Sequence, residues 1–81
     1  MLSEVEKAIL EKLFVAKIIG GRHTSADNVP KGFPKHLRGD AKDALKSLIK
    51  KGYIIAKPTS YGLEVSLNPN KMKEINALLT L

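Results

Sequence analysis

The chain is 81 residues long, with 43% hydrophobic residues, 14 Lys or Arg against eight Asp or Glu, a formal net charge of +6 at pH 7, and no Cys or Trp. That length allows one domain with one small core, which buries only about 60 to 65% of the surface the unfolded chain exposes. The missing Cys excludes disulfide staples, thiolate nucleophiles and Cys-containing zinc sites.

Read in chain order, Ser3 and Glu6 form an S-x-x-E capping box, which predicts a first helix over residues 3–19. Val5, Ala8, Ile9, Leu13 and Ala16 recur on one face of it, and Gly20-Gly21 is the expected stop. Thr24 with Asp27 predicts a cap for a short second helix over 24–29, ended by Pro30. The stretch from Pro30 to Pro34 is turn chemistry, and Phe33 within it is expected to plug the core, with a base-stacking platform as the alternative.

A stronger helical pattern follows. Leu37, Ala41, Ala44, Leu45, Leu48 and Ile49 share a face, Asp40 is the expected N-cap of a helix over 40–51, and Gly52 its left-handed terminator. Lys42, Lys46 and Lys50 line one side at four-residue spacing, joined by Lys35 if the helix is continuous. The period then changes to two, predicting a hairpin over 53–67, with Leu63, Val65 and Leu67 inward and Pro58 to Gly62 as its turn. A last helix over 69–80 is capped by Asn68 with Pro69 at its first position, or by Asn70 one turn later, and carries Met72, Ile75, Leu78 and Leu79 as its apolar stripe.

Charge is unevenly distributed along these elements. Residues 21 to 57 hold nine Lys or Arg against three Asp, and the segments on either side are neutral, so the whole net charge sits in the middle of the chain. Such a window is a candidate footprint for a polyanion, because each Lys or Arg placed near a phosphate releases a condensed counterion. His23 and His36, with Asp27 and Asp40 nearby, match no metal-ligand spacing and are expected at the surface or in turns, so no metal and no cofactor are expected. No glycine-rich phosphate loop is present and no nucleophile lies at recognisable spacing from a base; Ser47 and Ser66 fall on regular elements, and the chain is not read as an enzyme. No apolar run approaches the roughly 18 residues of a membrane span, and no secretory signal is visible at the N-terminus, so a soluble cytoplasmic protein with no membrane partner is expected. High Lys and Ile content is a compositional hint of a thermophilic host.

The order helix, short helix, turn, basic helix and hairpin resembles the winged helix-turn-helix superfamily across residues 3 to 68, with the most specific segment AKDALKSLIKKGYIIAKPTSYGLEVSL at 41–67. Size and composition are similar to small archaeal single-domain members. The resemblance implies an α+β fold: one domain over 1–81, with a three-helix core, a C-terminal hairpin wing and an extra C-terminal helix. It implies that the helix from Asp40 to Lys51 is the recognition helix, anchored by Leu37, Ala41, Leu45 and Leu48, with Lys42 and Lys46 toward the ligand. Arg38 is then placed for a bidentate contact with phosphate or guanine, and Thr59, Ser60 and Tyr61 form the wing tip with Lys57 at its base. Arg22, His23, Lys35, His36 and Lys50 complete the expected nucleic-acid-binding set. Lysine is a phosphate-seeking point charge, so weak sequence discrimination is expected, or specificity carried by Arg22, His23, Arg38 and DNA shape.

The function expected from all this is binding of double-stranded DNA as a small transcriptional regulator or chromatin-like protein. RNA or ribosome-associated binding would use the same basic face, and a protein-interaction winged helix is the alternative from a different class. The apolar sides of the first and last helices predict packing against each other, with a homodimer through the same two helices as a further expectation.

Overall fold

The computed structural model describes residues 2 to 80. Its first helix, α1, spans Glu4–Val15 and opens on the capping box: Ser3 Oγ accepts the Glu6 N–H at 3.1 Å, and Glu6 Oε1 accepts the Ser3 N–H at 2.8 Å. Ile9, Leu10 and Leu13 are buried on its inner face. The helix stops four residues short of the expected end at residue 19, and no glycine stops it. Lys17 takes the left-handed conformation at φ +58°, its N–H bonds the Phe14 carbonyl at 3.0 Å, and the Ile18 N–H bonds the Leu13 carbonyl at 2.9 Å. This is the paired closure that normally uses glycine at the left-handed position.

The segment expected as a helix over 24–29 divides differently. Thr24–Ser25 form a two-residue strand, β1, and the second helix, α2, is one turn at Asn28–Lys31. Thr24 therefore does not cap a helix; its hydroxyl oxygen accepts the Asn28 side-chain amide at 3.1 Å. Pro30 lies inside α2 instead of ending it, which costs no hydrogen bond because the first turn's N–H groups have no partners within the helix. Phe33 is buried in the turn that follows. A 3-10 turn at Lys35–Leu37 runs directly into α3, Arg38–Lys50. Asp40 is thus in the first turn of α3 and is not its N-cap, a position where its charge still favours the helix dipole.

Gly52, at φ +88°, closes α3 by the same paired bonds, Gly52 N–H to the Ile49 carbonyl and Tyr53 N–H to the Leu48 carbonyl, both 3.1 Å. The chain then forms β2, Ile54–Thr59, and β3, Gly62–Leu67, in a three-stranded antiparallel sheet of order β1-β3-β2. Ile54 faces Leu67 and Ala56 faces Val65, while Thr24 meets Val65 from the other side. Val65 and Leu67 are fully buried, but Leu63, expected inward with them, is 40% exposed because it lies beyond the end of the core. After α1 the backbone runs beside β3, with the Leu67 N–H on the Ile18 carbonyl at 2.9 Å and the Gly20 N–H on the Leu67 carbonyl at 3.1 Å.

Asn68, not Asn70, begins the last element: its side chain accepts the Asn70 N–H at 3.0 Å over a 3-10 turn, Pro69–Lys71. The helix proper, α4, is Met72–Leu79, three residues later than expected, with Ile75 buried and α1 as its packing partner. The described residues thus make a mixed α+β fold of four α-helices and one three-stranded sheet. Among them no helix is long and apolar enough to cross a membrane.

One buried charge ties the layers together. Glu6 is only 6% exposed, and its Oε2 accepts the Ser47 hydroxyl at 2.9 Å and the Lys51 ammonium at 3.0 Å, both from the C-terminal half of α3 and its cap. Burial pushes the carboxyl pKa up, but the hydrogen bonds from Ser3, Lys51 and Ser47 and the Lys51 charge outweigh it and hold the pKa down at about 2, against an ordinary 4.5. With the folded value below the unfolded one, this contribution is complete above the unfolded pKa and is lost as pH falls from 4.5 through about 2.

Glu6→Gln is expected to cost about 2 kcal/mol at neutral pH, allowing for the half-exposed ammonium, and the difference from wild type should shrink progressively as pH falls from 4.5 toward 2 in urea titrations across that range. Lys17→Gly should raise stability by about 1 kcal/mol by relieving the left-handed lysine, measured in the same titrations at pH 7.

Candidate nucleic-acid interface

The basic side chains of α3 owe their arrangement to where that helix begins. Four residues of α-helix advance about 40° beyond a full turn, so a series at that spacing winds slowly round the axis. Because α3 starts at Arg38 and not at Asp40, Arg38 joins Lys42, Lys46 and Lys50 in one series, and all four are exposed. They form a ridge sweeping about 120° of the helix surface. On the opposite margin, Ala41, Ala44, Leu45 and Leu48 are buried and hold the helix against the core.

Of the acidic residues of α3, Asp40 lies off this ridge, and Asp43, three residues before Lys46 and seven before Lys50, borders its C-terminal half. Asp40 and Asp43 border the depression beside Ser3, Val5 and Ser47, toward α1. Lys42 and Lys46 instead border a cleft of about 190 Å³ toward α2 and β3, whose apolar lining is Ala26, Pro30, Leu45, Ile49 and Leu63 and which has Asp27 on its rim. Lys51, counted in the basic window, is committed to Glu6 and adds little free charge. Arg38 is partly committed as well: its Nε donates to the Phe33 carbonyl at 3.2 Å, which leaves the Nη donors of the guanidinium outward.

The remaining expected site residues are distributed less compactly. Lys35 and His36 are exposed on the 3-10 turn that leads into α3, next to the start of the ridge. Arg22 and His23 are exposed ahead of β1, and the register of β1 on β3 sends them toward Leu67, whereas the lysine-bordered cleft meets β3 at Leu63. At about 3.3 Å per residue those ends of β3 are some 13 Å apart, so the fold does not bring Arg22 and His23 onto the ridge. Lys57 pairs across the hairpin with Glu64, on the sheet face opposite to Ala56, Val65 and Leu63. It too is separate from Lys42 and Lys46.

The hairpin tip is tied down while its side chains stay outward. Thr59 Oγ1 donates to the Gly62 carbonyl at 2.7 Å and accepts the Tyr61 N–H at 3.3 Å. Ser60 is exposed and Tyr61 is fully exposed, touching nothing that would explain an aromatic ring there. The apolar cleft beneath Lys42 and Lys46 was missed by sequence reasoning, which placed Leu63 in the core. The available signal was that Leu63 is the first inward position after a turn, where a strand has often not yet reached its sheet's partner layer. No group of three or more His, Asp or Glu side chains converges among the described residues as a metal ion would require.

Comparison of the chain with protein-family models, with curated proteins and with solved structures finds no match. The functional reading therefore rests on the geometry of α3 and the hairpin. Tyr61→Ala is expected to change stability by less than about 0.5 kcal/mol in urea titration, as a side chain with no packing partner should.

Proposed function

We propose that this chain is a winged helix-turn-helix module that binds double-stranded DNA, with α3 as the recognition helix and the β2-β3 hairpin as the wing. The observation that carries the reading is the exposed basic ridge on α3: Arg38, Lys42, Lys46 and Lys50 follow one another along it, with Asp40 on the side toward α1 and Asp43 at the ridge's margin beside Lys50. A helix with an apolar back and a basic front fits a major groove roughly 12 Å wide, and the ridge would run along the phosphates that line it. The strand inserted between α1 and α2, the β1-β3-β2 order and the outward Tyr61 at the hairpin tip are compatible with that architecture. With lysine dominating the ridge, binding is expected to be strong in charge and weak in base discrimination, as suits a chromatin-like protein or a regulator that relies on DNA shape.

Duplex RNA offers the same phosphates but closes its deep groove to a helix, so the shape of α3 favours DNA. A second reading is favoured by the cleft at Leu45, Ile49 and Leu63: an acidic peptide with an apolar side chain would satisfy both the floor and the two lysines on its margin. A two-fold dimer through α1 and α4 remains part of the proposal, because Val15 is 72% exposed and Leu78 and Leu79 are only partly buried there. It would set two copies of α3 about 34 Å apart on one face of DNA.

Fluorescence anisotropy of matched DNA duplex, RNA duplex and single strands at two salt concentrations tests the reading. Preference for the DNA duplex that weakens steeply with salt is expected, and absence of binding to all of them at low salt would overturn it in favour of the protein partner. Lys42→Ala with Lys46→Ala should weaken binding to every DNA sequence alike and reduce the salt slope by about two, with unfolding midpoints little changed.

A further inference from the structure

A cavity of about 160 Å³ lies between α1, β1 and α2, away from the basic ridge. It is lined by the aliphatic side chains of Ile9, Leu13, Ile18 and Val29 and by Lys12, Thr24, Asn28 and Gly32. We infer that this cavity is a binding site for a small organic monocarboxylate with a compact apolar body.

The polar part of this lining is built for an anion. Lys12 Nζ donates to the Gly32 carbonyl at 2.9 Å and sits 5.1 Å from the centre of the Phe33 ring, so the ammonium is held in place by two contacts before any ligand arrives. Among the described residues no carboxylate lies within 4.0 Å of it. An ammonium has three N–H donors, so two remain for a ligand. Thr24 Oγ1 already accepts the Asn28 amide, which leaves its own O–H free to donate. Both donors line the same cavity, and a carboxylate has two oxygens to accept from them.

The interior selects the rest of the molecule. Four of the eight lining residues are aliphatic, and about 160 Å³ is room for a benzene-sized guest whose ring lies against them. A phosphate or a dicarboxylate would have to set charged oxygens against Ile9 and Leu13, which is costly. A cation would meet the Lys12 ammonium. The class that remains has one carboxylate on a branched aliphatic or single-ring body, and benzoate represents it.

Gly32 supplies a gentle way to disable the anion contact. A Cβ added there would fall 2.7 Å from Lys12 Nζ, the mobile end of a long side chain, and Gly32 has an ordinary helical φ of −76°. Gly32→Ala therefore displaces the ammonium without straining the backbone.

The experiment titrates benzoate, and separately the uncharged isostere benzamide, into methyl-labelled wild-type protein observed by NMR. The expected result is saturable shifts of the Ile9, Leu13, Ile18 and Val29 methyls with benzoate, at a Kd below about 1 mM, with benzamide at least about tenfold weaker. Lys12→Gln and Gly32→Ala should each weaken benzoate about tenfold and leave benzamide unchanged. Absence of saturable shifts at these methyls in the wild-type protein would overturn the inference, as would equal affinity for benzamide. Shifts confined to residues around Lys42 and Lys46, or benzoate binding that is indifferent to both substitutions, would overturn it too, as unspecific anion binding elsewhere.

Discussion

The buried carboxylate of Glu6 constrains how α3 is presented to solvent. Ser47 and Lys51 are one turn apart on α3 and its cap, and both reach the same oxygen at the start of α1. Two points along one side of a helix, held to one fixed atom, define its rotation about its own axis as well as its distance. Lys46 precedes Ser47 by one residue and so lies about 100° round the helix from it. Pinning Ser47 toward α1 therefore turns Lys46, and Lys42 one turn earlier, toward α2 and the hairpin. A buried ion pair is often no more stabilising than a well-packed apolar pair of the same volume, but an apolar pair would not fix these atoms at hydrogen-bond distance.

That orientation explains why the net charge is a poor guide to the surface. Of the basic residues in the middle window, Lys51 is consumed by Glu6, Arg38 gives one donor to the Phe33 carbonyl, and Lys57 stands opposite Glu64 on the outer face of the hairpin. What remains concentrated is Lys42, Lys46 and Lys50 with the outer edge of Arg38. On the proposed DNA reading, this is a surface that neutralises phosphates and has one planar side chain for base or phosphate geometry, held at the helix entrance by the turn before it. Affinity would then come from counterion release, and discrimination from how readily a given sequence fits the rigid pair of α3 and hairpin.

Much of the fold was legible in the sequence because its strongest local signals agree with its packing. The capping box at Ser3 and Glu6, the apolar face of α3, Gly52 and the alternation through Val65 and Leu67 all appear where their patterns put them. The misses share a physical cause: at each of them tertiary contacts override a weak local preference. Lys17 adopts a conformation that lysine disfavours because Ile18 can then join Leu13 and reach β3. Thr24-Ser25 is too short for any periodicity to register as a strand, and only Val65 and Glu64 make it one. Asp40 looks like a cap, but the 3-10 turn before it already supplies the helical path. Of the candidate site, the lysine spacing was legible, whereas the separation of Arg22 and His23 from the ridge depends on strand register, which the sequence does not display.

The single turn of α2 connects the two regions for which binding is proposed. Val29 lines the cavity beneath Lys12, and the next residue, Pro30, lines the cleft beneath Lys42 and Lys46. Both are buried, and α2 packs chiefly on α3. If occupancy of the cavity changes the position of Pro30, then whatever binds across the cleft must by linkage change the affinity of the cavity by the same factor. Such a coupling would need no long pathway, since Val29 and Pro30 are consecutive residues about 100° apart on one helical turn.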